Sequence, residues 1–176
     1  MSQPPPNRPV QEAALTWSFS DESGPPGLNL GFWFAVDTPG WIVQAAWLQD
    51  RVDPFCHGAY LINHLDELLK VVAFLPHLLP GGEGGFSWQR RNIKPGWFVE
   101  PGFFYRFCVW RDYASYAYAP GYFATHSIDS GPVHIPMTGF AGGTHNGVFQ
   151  YGPPFRNVVD STVNNAYGVD LSFQPR

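Results

Sequence analysis

Apolar residues alternate with small or polar ones along four stretches of the chain. A period of two is the mark of a β-strand with one buried face. Leu30, Phe32, Phe34 and Val36 share a face in the first stretch, and Trp41, Val43, Ala45 and Trp47 share one in the second. In 103–110, Phe103, Tyr105, Phe107 and Val109 line one face, while Phe104, Cys108 and Trp110 make the other apolar too. In the fourth, Tyr167, Val169, Leu171 and Phe173 alternate with Gly168, Asp170 and Ser172, which are expected to face water. Asp37–Gly40 reads as a tight turn joining the first two strands. The expected core is Phe32, Phe34, Val43, Trp47, Tyr105, Phe107, Val169, Leu171 and Phe173.

Residues 59–79 carry two periodicities. Leu61, Leu65, Leu68 and Val72 sit at helical spacing, but the same stretch also divides into strands near 59–63 and 68–75 that turn at His64–Glu67. The β-branched pair Val71 and Val72 and the lack of caps favour the strands. Any helix is expected to be one short segment within 60–80. Loops are expected at 21–27 and 80–85, where Gly and Pro cluster. The prolines of residues 1–12 forbid a helix and favour an extended polyproline arm, suited to docking on a partner.

Composition points the same way. Of the 176 residues, 17% are aromatic and only 14% are charged. An average domain is about 25% charged. Gly, at 19, and Pro, at 18, stand where helix-forming Lys and Glu would otherwise be. Both favour turns over helix, Gly through its conformational freedom and Pro through its fixed φ. The fold class expected is all-β: a two-sheet antiparallel β-sandwich, jelly-roll-like, of about seven to nine strands in a single domain over 13–176.

Read in order, several segments carry a resemblance. They are Leu30–Asp37, Gly40–Val43, Gly58–Leu61, Leu68–Phe74, Trp97–Val109, Gly121–Ala124, Asp129–Val133, Asn146–Gly152 and Tyr167–Phe173. Together they resemble the bacterial β-sandwich module family catalogued as domain of unknown function 4082. That family occurs in large secreted proteins, often beside carbohydrate-active or adhesive modules, and this chain resembles its stand-alone form in phage virion proteins. The resemblance implies the sandwich fold and a binding or building role.

Catalytic chemistry finds no foothold in the sequence. There is no Gly-x-Ser-x-Gly elbow, and Cys56 and His57, as neighbours on a strand, point apart. Paired carboxylates for glycoside hydrolysis are not evident. Asp112, Asp129, Asp160 and Asp170 are the acids of most interest, and turn caps account for the others. His126, His134 and His145, with Asp129 among them, lie within twenty residues of one another, but their spacing does not suit a zinc site. No catalytic residue, cofactor or metal is expected. Cys56 and Cys108 are expected to be reduced, buried thiols rather than a disulfide.

A net charge of −4 leaves the cluster Arg90, Arg91 and Lys94 as an ordinary strand edge, so nucleic acid is not an expected partner. No apolar run is long enough to span a membrane. The surplus of rings is the most informative feature. Tyr113, Tyr116, Tyr118 and Tyr122, spaced by Ala, Ser and Pro, form a candidate binding patch with rings standing proud, alongside the alternative that they are core. An extracellular type of module without an export signal is expected in a virion assembled in the host cytoplasm. There it would be a minor tail protein docked on other virion proteins as a symmetric homo-oligomer, with a possible cell-surface glycan contact. The alternative expectation is a carbohydrate-binding or adhesion module of an exported, extracellular protein.

Overall fold

The computed structural model describes residues 17–20, 27–50, 57–74, 86–111, 115–140, 145–153 and 164–176. The arm at 1–12, most of both Gly/Pro loops, Cys56, Asp112, Tyr113 and Asp160 lie outside them.

The described residues are almost wholly strand: β1 (Ser18–Ser20), β2 (Leu28–Val36), β3 (Gly40–Asp50), β4 (His57–Asn63), β5 (Leu68–Phe74), β6 (Phe86–Val99), β7 (Tyr105–Arg111), β8 (Tyr116–Ala119), β9 (Ile128–Ser130), β10 (Val133–Ile135), β11 (Val148–Tyr151), β12 (Ala166–Tyr167) and β13 (Val169–Pro175). That exceeds the expected seven to nine because several strands are short pieces of longer ribbons. Among the described residues the only helical turn is a 3-10 turn at Tyr122–Ala124, outside the segment where a helix was entertained. Residues 57–74 are two strands with the turn at 64–67, as the β-branched pair indicates.

Two antiparallel layers face each other. One is ordered β5-β4-β7-β2-β10-β9, with β11 also on β2. The other is formed from β1-β8-β12 and β13-β3-β6. These join at Gly168, which divides β12 from β13 and bonds to both neighbours: its N–H donates to Ala117 O and its carbonyl accepts from Leu48 N. A Cβ at Gly168 would stand 2.9 Å from that of Leu48 and 3.1 Å from that of Ala117. Only glycine lets the three backbones approach so closely.

The core between the layers is aromatic. Phe107 lies between Phe32 and Trp97, and Trp47 stacks on Phe74 with ring centroids 5.3 Å apart. Of the nine residues expected in the core, all but Val43 are buried. A β-bulge explains the exception. In β3 the pairing passes from Ile42 to Gln44 against both β6 and β13. The extra residue shifts the alternation, so Ile42 faces the core before the bulge and Ala45 and Trp47 after it. Phe103 lies between the turn at 101–102 and β7 and is exposed. Asp170 and Ser172, expected to face water, are buried: the Asp170 carboxylate accepts Leu171 N, and Ser172 Oγ donates to Gln44 Oε1.

A second, smaller apolar cluster covers the outer face of the larger sheet, with Trp33, Tyr60, Ile62, Cys108 and Val148 at its centre. Burial there pushes the Tyr60 hydroxyl above its ordinary range and keeps it a donor, to Asn29 Oδ1 at 2.9 Å. The guanidinium of Arg106 lies 4.7 Å from the centre of the Trp33 ring and pairs with the Asp66 carboxylate.

Candidate functional site

Of the tyrosines expected in a binding patch, Tyr116 is buried and Tyr118 and Tyr122 are half-buried. Tyr116 and Tyr118 are two residues apart on β8, so both rings turn to the same side. Tyr116 is buried against Phe149 and Tyr167 at centroid distances of 5.4 and 6.0 Å. Tyr118 packs on the same cluster, and Tyr122, half-buried, stacks on His126 at 4.9 Å. The reading of Tyr116 as an exposed binding residue is therefore corrected. Small neighbours such as Ala117 are there to let strands approach, not to expose rings. Tyr113 lies outside the described residues.

The three histidines do not converge. His126 Nδ1 is near Thr125 Oγ1 and Tyr122 O, and His145 Nδ1 is 3.0 Å from Asn164 Oδ1. His134 instead bridges two acids. Its Nδ1 lies 2.6 Å from Asp129 Oδ1 across the β9–β10 hairpin, and its Nε2 lies 2.7 Å from Asp37 Oδ2 in the turn after β2. Only an imidazolium donates from both nitrogens, so the hydrogen bonds to Asp129 and then Asp37 raise the His134 pKa.

A folded-state pKa above the unfolded value stabilises most where both states are protonated. That contribution should be fully present below about pH 6.5, the ordinary histidine value. It should fade as pH rises through the raised value. Urea midpoints of the native chain and of His134→Gln are expected to differ most at the acidic end and to merge in alkali. The gap should be small, because both carboxylates are largely exposed and screened. A gap that widens with pH would reverse the assignment.

The surface that stands out is the outer strand of the larger sheet. Among the described residues, β5 pairs on one side only, with β4. Five of their eight strongly exposed large apolar side chains cluster here: Leu65, Leu68, Leu69 and Val71 along the turn and strand, and Phe103 beside them, its ring stacked on His64. Monomeric surfaces rarely gather apolar side chains this way.

The turn that displays Leu65 is tightly organised. Asn63 Oδ1 accepts the N–H groups of Leu65 and Glu67, both at 2.9 Å. Asn63 Nδ2 donates to Glu67 Oε2, while Asp66 takes a positive φ and pairs with Arg106. The strand itself is legible in the sequence, but its place at the edge of the sheet is not, because order within a sheet is set by distant segments. Lys70 stands opposite Leu61, so it sits on the core-facing side of this edge while remaining exposed.

Other arrangements add little chemistry. Among the described residues no group of three or more His, Cys, Asp or Glu side chains is placed to hold a metal ion. No helix of the described residues is long and apolar enough to cross a membrane. No family model, curated protein or solved structure matches the chain.

Proposed function

We propose that this chain is a non-enzymatic structural protein that assembles with other proteins, and that it is a minor tail component of a phage virion. The observation that carries the reading is the apolar outer strand β5, with its ordered leading turn. An edge strand offers a row of backbone N–H and C=O groups to an added strand, and soluble proteins normally blunt such edges. Among the described residues the blunting here is one residue, Lys70. A second copy pairing antiparallel about Val71, the middle of β5, would set the two Lys70 ammonium groups diagonally across from each other on one face, which disfavours self-pairing. The complementary partner is an extended segment of another virion protein, apolar at alternate positions and acidic opposite Lys70.

The reading also draws on the resemblance to sandwich modules in their stand-alone, virion-associated form. The test is mass spectrometry of purified particles of the phage carrying the gene. The native chain is expected at fixed stoichiometry. Leu69→Lys with Val71→Lys, at exposed positions, should melt within a few degrees of native and be lost from the particles. A chain present only in the soluble fraction of the lysate would refute the assignment. Particles that keep the double variant would refute β5 as the docking edge.

A further inference from the structure

A different surface lies on the second sheet, on the outward side of β13-β3-β6. Directly paired residues share a face, and two rows of them cross these three strands. One row is Gln174, Trp41 and Phe98; the other is Ser172, Gln44 and Asn92, of which Ser172 is buried and Asn92 exposed. The Trp41 and Phe98 rings lie 5.5 Å apart at 57°, Trp41 half-buried and Phe98 41% exposed. The amides form a chain: Ser172 Oγ donates to Gln44 Oε1, and Gln44 Nε2 donates to the exposed Asn92 at 3.0 Å.

The strands are irregular between the two rows. Opposite the single residue Val43, β6 carries four, Ile93–Gly96. Ile93 turns into the core, while Lys94 and Pro95 are exposed. Gly96 lies so close to Trp41 that a Cβ would stand 3.0 Å from the tryptophan's own. The excursion therefore passes directly beside Trp41. Bulges of this kind re-aim side chains and occur near functional sites.

The charge is local. The chain as a whole is net negative, yet β6 carries Arg90, Arg91 and Lys94 and no acid. Arg90 pairs opposite Ala46, two residues before Asn92, in a row whose third member is the buried Asp170, so Lys94 is the cation nearest the ring pair. Half-exposed rings suit the apolar C–H face of a sugar. Side-chain amides both donate and accept, as adjacent hydroxyls require. Cations on the rim complement carboxylates.

We infer that this face binds an acidic polysaccharide, laid across β3 and β6 over Trp41 and Phe98. Asn92 and Gln44 contact its hydroxyls, and Lys94 its carboxylates. A single-stranded nucleic acid fits less well, since a phosphate backbone calls for a continuous basic track. The inference does not depend on the assembly reading, which uses another strand of the other sheet.

Affinity electrophoresis of the full chain tests it, in gels containing polygalacturonate, alginate, hyaluronan or neutral dextran, with an oligothymidine mobility shift alongside. Retardation is expected with at least one acidic polysaccharide and not with dextran or oligothymidine. Trp41→Ala should weaken it about tenfold, the equivalent of one good contact. Asn92→Ala, at an exposed position where folding is not at risk, should weaken it as well. Lys94→Gln should also weaken it and make the residual binding less sensitive to salt. Absence of retardation in all three acidic gels overturns the inference, as does equal retardation by dextran. Unchanged binding by Asn92→Ala together with Lys94→Gln moves the site elsewhere, and a shift with oligothymidine instead makes the face a nucleic-acid surface.

Discussion

Replacing Phe107 by alanine is expected to cost about 3–5 kcal/mol, measured by urea denaturation. The ring is fully buried on β7, the strand between β2 and β4 in the larger sheet. It is paired opposite Phe32 on one side and Leu61 on the other, and Trp97 reaches it from the facing layer. Three other strands thus lose contacts when it is truncated. Close-packed interiors relax only in part, so the cavity adds to the lost transfer energy. A measured loss below about 1 kcal/mol would mean that the ring does not sit between the layers.

Truncating Asn146 to alanine is expected to be comparably severe, at least about 3 kcal/mol, although it removes no apolar surface of consequence. On one side of β2 the ladder is made by two short strands, β11 against Leu28–Gly31 and β10 against Ala35 and Val36. Trp33 lies in the gap between them. The fully buried side chain of Asn146 takes the place of a strand there: Oδ1 accepts Trp33 N at 2.9 Å, and Nδ2 donates to Trp33 O at 3.1 Å. The same amide donates to Pro136 O at 2.7 Å and accepts Gly147 N at 2.7 Å. Alanine leaves four backbone groups without this partner, and each buried orphan costs about 1–3 kcal/mol before any water enters. Asn146→Asp separates shape from bonding. It keeps the size but turns an oxygen toward two carbonyls and buries a charge, so it should be no more stable than the alanine variant. Wild-type stability in Asn146→Asp would show that the amide does not bridge the gap.

These two positions differ in how far the sequence reveals them. Phe107 is readable because its neighbours at two-residue spacing, Tyr105 and Val109, share its character. Asn146 sits in a Gly-rich stretch and looks like any turn residue. Its role appears only when β2, more than a hundred residues earlier, lies beside it. His134 is half and half: Asp129 is a local hairpin partner, whereas Asp37 arrives from 97 residues away.

The burial of Tyr116 is hidden from the sequence for a related reason. Alternation places Tyr116 and Tyr118 on one side of β8, but which side is decided by Phe149 and Tyr167, from strands formed later in the chain. The bulge at Val43 was equally hidden, since a bulge is a mismatch between two strands and neither strand carries it alone. The apolar edge at β5 has no local mark either. A strand with apolar residues on both sides looks the same whether it lies in the middle of a sheet or at its rim.

What the sequence determined by itself is the all-β class, the positions of the longer strands, the division of 57–74 into two strands and most of the aromatic core. These follow from backbone geometry, because alternation at a period of two and the turn chemistry of Gly, Pro, Asn and Asp act over a few residues. Only the tertiary structure decided the order of strands in each sheet, the phase shift at Val43, the burial of Tyr116, Asp170 and Ser172, the exposure of β5 and the amide that bridges the ladder at Trp33. Each depends on which distant strand lies alongside. That choice is made by the packing of the whole sandwich, where the gain from burying apolar area outweighs any local preference of a single strand.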